Sequence, residues 1–200
     1  MDLPSDISAS EVFSLFVNEK VISLLVTETN RYAEQKLHQH EVTGQTRHKR
    51  WKPTTSKEII KFIELMVWMG LVQTPLITCW STNRLYNFPF PCCRMTRNCF
   101  ELPSANLHFA NNETIKQSNR LGKVLPLINI LTDNYQQIFS PGKDIVIDDT
   151  MVPWRGRLIF RQYIPTKSHK YGIKLFKLCS TEGYSWSVKV YSRREITGNK

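Results

Sequence analysis

The change of hydrophobic period at Ser140, Pro141 and Gly142 is the strongest constraint on the fold of this 200-residue chain. Before this point, apolar residues recur mainly at helical spacing, and after it short β-branched segments alternate with turn residues. Because the helical patterns all precede the strand patterns, the sequence predicts an α+β fold. Residues 1–140 form the predicted helical region, and residues 141–200 carry the first antiparallel strands of a sheet.

Two capping boxes mark predicted helix starts in the helical region. Ser8 is followed at the third position by Glu11, and Thr55 is followed in the same way by Glu58. The first helix is predicted to run, with one break, to about residue 37. The second is predicted to end at Gly70, since glycine commonly terminates helices.

One more long helix is predicted in the later part of the helical region. Residues 119–139 have an apolar face at helical spacing, and Pro126 should lie near the start of that helix or kink it. The polar, basic stretch at residues 38–53 is predicted to be an exposed loop.

Residues 141–200 are predicted to contain four strands. Residues 144–148 read as a buried strand because they are short, β-branched and bounded by turn residues. Residues 158–164, 173–179 and 186–191 are the other predicted strands. Glu182 and Gly183 are predicted to form the hairpin turn between the last two.

The positive charge of the chain is concentrated in its last 60 residues. Residues 141–200 hold 12 of the 27 Lys and Arg side chains but only 5 of the 17 Asp and Glu side chains. With a net charge of +10 and a pI near 9.5, this distribution favours a polyanionic partner such as DNA. The alternative is a solvated sheet face. The candidate phosphate contacts, interleaved with aromatic residues, are Arg155, Arg157, Arg161, Lys167, Lys170 and Lys174.

Cysteine usage and hydropathy predict an intracellular, soluble protein. The five cysteines include no CxxC pair, which is more typical of a reducing compartment than of a disulfide framework. The most apolar window contains Lys61, Glu64 and Pro75, so no membrane partner is expected.

Asp148 and Asp149 stand at the end of the first predicted strand, and two interpretations of them remain open. A carboxylate held by a rigid strand is a standard ligand for Mg²⁺ or Mn²⁺ in phosphoryl transfer. Alternatively, the two acids only end a strand and open a turn. Since side chains alternate along a strand, Asp148 and Asp149 should point to opposite faces.

A series of ordered motifs resembles the piggyBac transposases and the host proteins derived from them. The second half contains Ile147-Asp148-Asp149, Arg155-Gly156-Arg157, Tyr163-Ile164-Pro165-Thr166-Lys167 and Lys170-Tyr171-Gly172-Ile173-Lys174. Upstream, in the same order as in that family, are Glu28-Thr29-Asn30-Arg31-Tyr32-Ala33, Trp80-Ser81-Thr82 and Leu107-His108-Phe109-Ala110-Asn111-Asn112.

The resemblance implies a fold, an activity and partners. It implies a helical dimerisation and DNA-binding region at residues 1–140 and the start of an RNase H-like DDE core at residues 141–200. Asp148 would be the first of three catalytic, metal-binding aspartates, whereas Asp149 would not be one of them. The family's chemistry is Mg²⁺- or Mn²⁺-dependent cut-and-paste DNA transposition, so the expected location is the nucleus. The expected partners are DNA and a second copy or a full-length relative.

The acids that follow Asp149 limit this expectation. They are Glu182, in the predicted hairpin turn, and Glu195, near the end of the sequence. We therefore expect a truncated transposase core that is inactive alone and binds no metal stably. One alternative is a domesticated, non-enzymatic DNA-binding or dimerising protein. A third possibility is a chain that does not fold stably, since an incomplete sheet leaves an unpaired edge.

Overall fold

The computed structural model describes residues 6–39, 51–116 and 118–192. It confirms the α+β fold, with α-helices followed by an antiparallel sheet. The chain divides into two compact units, one containing residues 6–21 and 113–192 and the other residues 22–112. Most of the polar loop predicted at residues 38–53 lies outside the described residues.

The helices begin largely where their capping residues predicted. Both capping boxes form: the Ser8 hydroxyl accepts from the Glu11 backbone N–H, and the Thr55 hydroxyl accepts from that of Glu58. The predicted single break in the first helix separates α1 from α2. In the described part of the chain the α-helices are α1 (Ala9–Phe16), α2 (Glu19–Gln39), α3 (Ser56–Val72), α4 (Pro89–Arg94), α5 (Arg97–Asn106) and α6 (Leu125–Ile138).

The prediction that Gly70 ends α3 is wrong. Gly70 lies inside the helix, which continues to Val72 and is capped by Gln73 in the left-handed conformation, with a φ of 50°. The Gln73 N–H donates to the Met69 carbonyl at 3.0 Å. Because Pro75 disfavours a helical conformation at the preceding residue, the proline explains where the helix stops better than the glycine does.

Helix α6 begins six residues later than predicted. Residues before Leu125 form a turn in which the Asn119 side chain accepts from the Leu121 N–H at 3.2 Å. Such a local side-chain bond competes with helix formation. Pro126 lies in the first turn of α6, as predicted, where its missing N–H costs no helical hydrogen bond.

The unit of residues 22–112 has a core built from α3, α4, α5 and the segments between them. Trp80 packs against this core and its indole N–H donates to the Met95 carbonyl at 2.8 Å. A second link joins α2 to the start of α3: Asn30 donates to the Thr54 carbonyl at 3.0 Å and accepts from its N–H at 2.7 Å. The buried residues of this cluster are Phe62, Leu65, Met95 and Phe100.

In the other unit, Asn134 of α6 connects that helix to the end of α1. Asn134 is buried, its side-chain N–H donates to the Phe16 carbonyl at 2.7 Å, and its carbonyl accepts from Asn18 at 2.9 Å. Tyr184 packs beside Phe139, with ring centroids 4.7 Å apart, and donates its hydroxyl to the Tyr135 carbonyl at 2.9 Å. Burial raises the pKa of the Tyr184 hydroxyl.

The sheet is antiparallel throughout the described residues. Its strands are β1 (Ile145–Pro153), β2 (Gln162–Tyr163), β3 (Tyr171–Ser180) and β4 (Ser185–Val190). Strand β3 pairs with each of the other three. The predicted hairpin turn between β3 and β4 is confirmed, and Gly183 in it has a φ of 92°, a conformation that favours glycine.

Two strand predictions need correction. The segment at residues 144–148 is not a buried strand but the start of a longer one, in which Ile147 is 75% exposed. Among the described residues β1 pairs only with β3, so this β-branched run lies at a sheet edge. The strand predicted at residues 158–164 is reduced to β2, because a turn closed by the Arg161 N–H and the Leu158 carbonyl, 3.2 Å apart, precedes it.

None of the helices in the described ranges combines the length and the apolar character needed to cross a bilayer.

Candidate catalytic strand and nucleic-acid interface

Strand β1 presents its two adjacent carboxylates in different surroundings. In the β1–β3 register Asp148 is opposite Lys177 and Asp149 is opposite Phe176. Because neighbouring side chains of a strand point to opposite faces, the acids belong to different sides of the sheet, as predicted.

Asp149 is engaged by two lysines from different segments. Lys174 Nζ lies 3.3 Å from Oδ2 of Asp149, and Lys167 Nζ lies 3.5 Å from its Oδ1. The hydrogen bond from Lys174, followed by the charges of Lys167 and Lys174, lowers the pKa of the Asp149 carboxyl. The ion pair between Asp149 and Lys167 therefore links strand β1 to the segment that contains Lys167.

Asp148 is exposed and has a different environment. Its Oδ2 accepts from the Thr150 hydroxyl at 3.2 Å. Within residues 118–192 no ion pair joins Asp148 to a lysine or arginine, although Lys177 lies opposite it on the same face. The Asp148 carboxylate is thus held by the strand and remains accessible to a ligand.

The six predicted phosphate contacts fall into two groups. Lys167 and Lys174 are engaged with Asp149, and Arg161 donates to the backbone carbonyls of Arg155 and Gly156 at 3.0 and 3.2 Å. The exposed cations outside these contacts are Arg155, Arg157 and Lys170.

The described residues do not complete a metal centre. A carboxylate on a rigid strand has the hard oxygen atoms that Mg²⁺ and Mn²⁺ prefer, and Asp148 fits that chemistry. However, in residues 6–39, 51–116 and 118–192 no three His, Cys, Asp or Glu side chains come together to hold an ion. We assign no reaction step through a metal to these residues.

Comparison with known proteins gives the family. The family model described as Transposase IS4 matches residues 8–200. PiggyBac transposable element-derived protein 2 of Homo sapiens is 28% identical over 185 residues, which is 92% of this chain. PiggyBac transposable element-derived protein 3 of Homo sapiens is 27% identical over 177 residues, or 88% of this chain. The chain belongs to the piggyBac family.

A solved structure supports the fold of this piggyBac-family chain. The cryo-EM structure of the piggyBac transposase synaptic complex with hairpin DNA is similar, with a TM-score of 0.75 and 25% identity over 94% of this chain. The family and the α+β fold expected from the motifs are therefore confirmed. DDE-type transposases generally use divalent metal ions.

The piggyBac-family chain covers only part of each relative. It spans 29% and 28% of the length of the two human proteins, and 39% of the transposase chain in the synaptic complex.

Two of the upstream family motifs, at residues 28–33 and 107–112, pack against each other within the unit of residues 22–112. The Tyr32 and His108 rings stack with centroids 3.5 Å apart, and Gln35 donates to Asn111 at 3.0 Å. The backbone N–H of His108 also donates to the Thr29 hydroxyl at 3.4 Å. These motifs therefore hold α2 to the segment that follows α5.

Sequence reasoning missed the partners of Asp149 and the contacts of Arg161. Lys174 is diagonal to Asp149 across the β1–β3 pair, and such diagonal neighbours on one face are within reach of long side chains. The strand register would have identified Lys174. Nothing in the sequence placed the Arg161 guanidinium on the Arg155 and Gly156 carbonyls.

Proposed function

We propose that this chain contributes the first carboxylate-bearing strand and a DNA-contacting surface of an RNase H-like DDE transposase core. Asp148 is the proposed first metal-binding carboxylate. The observation that carries this proposal is the contrast between the two acids: Asp149 is neutralised by Lys167 and Lys174, whereas Asp148 is exposed and bonded to a hydroxyl. The ancestral reaction is cut-and-paste transposition of DNA, and the proposed location is the nucleus.

The division of the chain at residue 140 belongs to the same proposal. Residues 1–140 would provide dimerisation and DNA binding, and residues 141–200 the start of the catalytic core. Support comes from the synaptic complex of the similar piggyBac transposase with hairpin DNA.

We further propose that these 200 residues alone do not cut DNA. DDE chemistry requires several carboxylates from separate elements, and Asp148 is the one acid here that corresponds to a family ligand. A nicking assay with transposon-end DNA and Mg²⁺ or Mn²⁺ tests this directly. Divalent-metal-dependent nicking that is lost in Asp148→Asn would refute the inactivity of the isolated chain.

DNA binding provides a test that needs no catalysis. Arg155→Ala with Arg157→Ala should lower duplex affinity and reduce the slope of log affinity against log salt by about 2, one for each lost phosphate contact. The matched control is Lys116→Ala with Lys123→Ala, which removes two exposed cations elsewhere in the same unit. If the two double variants lower duplex affinity and its salt dependence equally, Arg155 and Arg157 are not specific DNA contacts.

DNA affinity also tests the proposed position of Asp148 close to the DNA. An acid facing a phosphate repels it in the absence of divalent ions, so Asp148→Asn should tighten DNA binding. Asp133→Asn makes the same change at an exposed position of α6 and should have a smaller effect. If both variants bind DNA like the unmodified chain, Asp148 does not face the phosphates.

A non-enzymatic DNA-binding or dimerising role is the second candidate. The exposed Arg155, Arg157 and Lys170 favour it, because binding to phosphates requires no metal centre. Salt-dependent DNA binding without nicking, together with a dimer or a complex with a full-length relative in light scattering, is the result expected for this role.

A further inference from the structure

Three aromatic side chains in the sheet unit are exposed next to the basic segment. Trp154 is 45% exposed, Tyr163 is 54% exposed and Tyr171 is 49% exposed. We call these three residues the aromatic surface. Several large aromatic rings that are exposed and contiguous in a folded unit indicate a binding surface.

The β2–β3 register and a ring contact make Tyr163 and Tyr171 one patch. The two residues are paired between β2 and β3, and their ring centroids are 4.8 Å apart. The Arg161 guanidinium lies 5.1 Å from the Tyr171 ring centroid, as in a cation–π contact. Backbone pairing therefore fixes the positions of both tyrosines on the sheet.

Arg161 extends the patch to Trp154. Its guanidinium donates to the Arg155 and Gly156 carbonyls, so it fixes the loop that follows Trp154. A Cβ at Gly156 would lie 2.9 Å from the indole nitrogen of Trp154, closer than packing allows. The glycine therefore lets the indole lie against the loop. The backbone N–H of Trp154 donates to the Tyr171 carbonyl at 3.2 Å, which places the two residues side by side.

The charge around the aromatic surface decides which partner it fits. The sequence from residue 150 to residue 181 has seven Lys and Arg side chains and no acid. An apolar protein partner would leave this charge uncompensated, whereas a nucleic-acid strand supplies phosphates for the cations and flat bases for the rings. Duplex DNA presents phosphates but keeps its bases stacked, so an unpaired strand matches both features.

We propose that Trp154, Tyr163 and Tyr171 form a stacking surface for unpaired bases of single-stranded DNA, with Arg155 and Arg157 contacting its phosphates. This inference rests on the proposed DNA binding and adds the strand form that the surface recognises. Stacking on an aromatic ring tolerates any base, so the surface should show little sequence preference.

The test compares a thymidine oligonucleotide with a duplex of equal length at one salt concentration. Trp154→Leu and Tyr163→Leu should each weaken binding of the oligonucleotide by about 5- to 100-fold, the range for loss of one base–aromatic stack. Duplex affinity should change less than about 2-fold, because no base is unpaired there. Trp154→Phe and Tyr163→Phe retain a ring and should keep most of the oligonucleotide affinity.

The controls separate this inference from the proposed function. Tyr86→Leu removes a tyrosine that is 49% exposed in the other unit and should leave oligonucleotide binding unchanged. A cooperative melt of each variant checks folding. Equal loss for oligonucleotide and duplex, or no loss for either, would overturn the stacking surface. A duplex affinity insensitive to Arg155→Ala with Arg157→Ala would count against the DNA contacts of the proposed function instead.

Discussion

Lys174 Nζ lies 3.3 Å from the Asp149 carboxylate, across the β1–β3 strand pair. Together with Lys167, this contact makes Asp149 part of the sheet's own structure and leaves the neighbouring Asp148 as the accessible acid. Two adjacent residues of the same type thus have separable roles, which substitutions of each can distinguish.

Asp149→Asn should lower stability in a pH-dependent way. The lysines hold the pKa of Asp149 below its ordinary value in the folded chain. The contribution of Asp149 to stability is therefore fully present above the pKa that it has in the unfolded chain, about 4. It is lost as the pH falls through the lower pKa that it has in the folded chain. The Tm difference between the unmodified chain and Asp149→Asn should be small, since the pairs are exposed, and should narrow below about pH 4.

Asp148→Asn is the matched control for this pH series. It makes the same isosteric change one residue earlier, at an acid with no lysine or arginine ion pair among the described residues. A Tm difference for Asp149→Asn that stays constant down to about pH 2 would contradict the assignment of the effect to ion pairing.

Local sequence signals predicted elements that depend on local chemistry. Both capping boxes and the Gly183 turn form, because their hydrogen bonds and dihedral angles involve residues at most four apart. The same signals failed at Gly70, where the downstream Pro75 is a better account of the helix end.

Burial and side-chain partners depend on tertiary structure, and the sequence predicted them less well. The β-branched run before Asp148 indicated a strand but not that it lies at a sheet edge, since propensity carries no information about neighbouring strands. The partners of Asp149 likewise depend on strand register. The family motifs did predict the family and the α+β fold.

Asn134→Ala should destabilise the sheet-containing unit. The Asn134 side chain is buried and bonds to the Phe16 carbonyl and to Asn18, so its removal leaves polar groups without these partners. We expect a loss of about 1–3 kcal/mol in the free energy of unfolding, measured by urea denaturation. Asn129→Ala, at an exposed position of the same helix, should change it by less than about 0.7 kcal/mol.

Gly183→Ala should weaken the β3–β4 hairpin through backbone strain. Among the described residues no other atom lies within 4 Å of a Cβ built at this position, so its φ of 92° is the cause of the expected cost. We expect a loss of about 1–2 kcal/mol in the free energy of unfolding. Gly70→Ala is the contrasting variant: the position is helical and open, so alanine should stabilise by about 0.5–1 kcal/mol. Equal effects of the two variants would contradict the backbone explanation.

Arg161 should influence DNA binding mainly through the loop that it holds. Its guanidinium donates to the Arg155 and Gly156 carbonyls, so Arg161→Gln should displace Arg155 and Arg157 from the positions in which we propose that they contact phosphates. The loss of duplex affinity should then be much smaller when Arg155 and Arg157 are already alanine. A double-mutant cycle should give a coupling energy of about 0.5–3 kcal/mol. Lys170→Gln, an exposed cation outside these contacts, should be additive with the same pair. Additivity of Arg161→Gln would instead mean that its guanidinium binds phosphate directly.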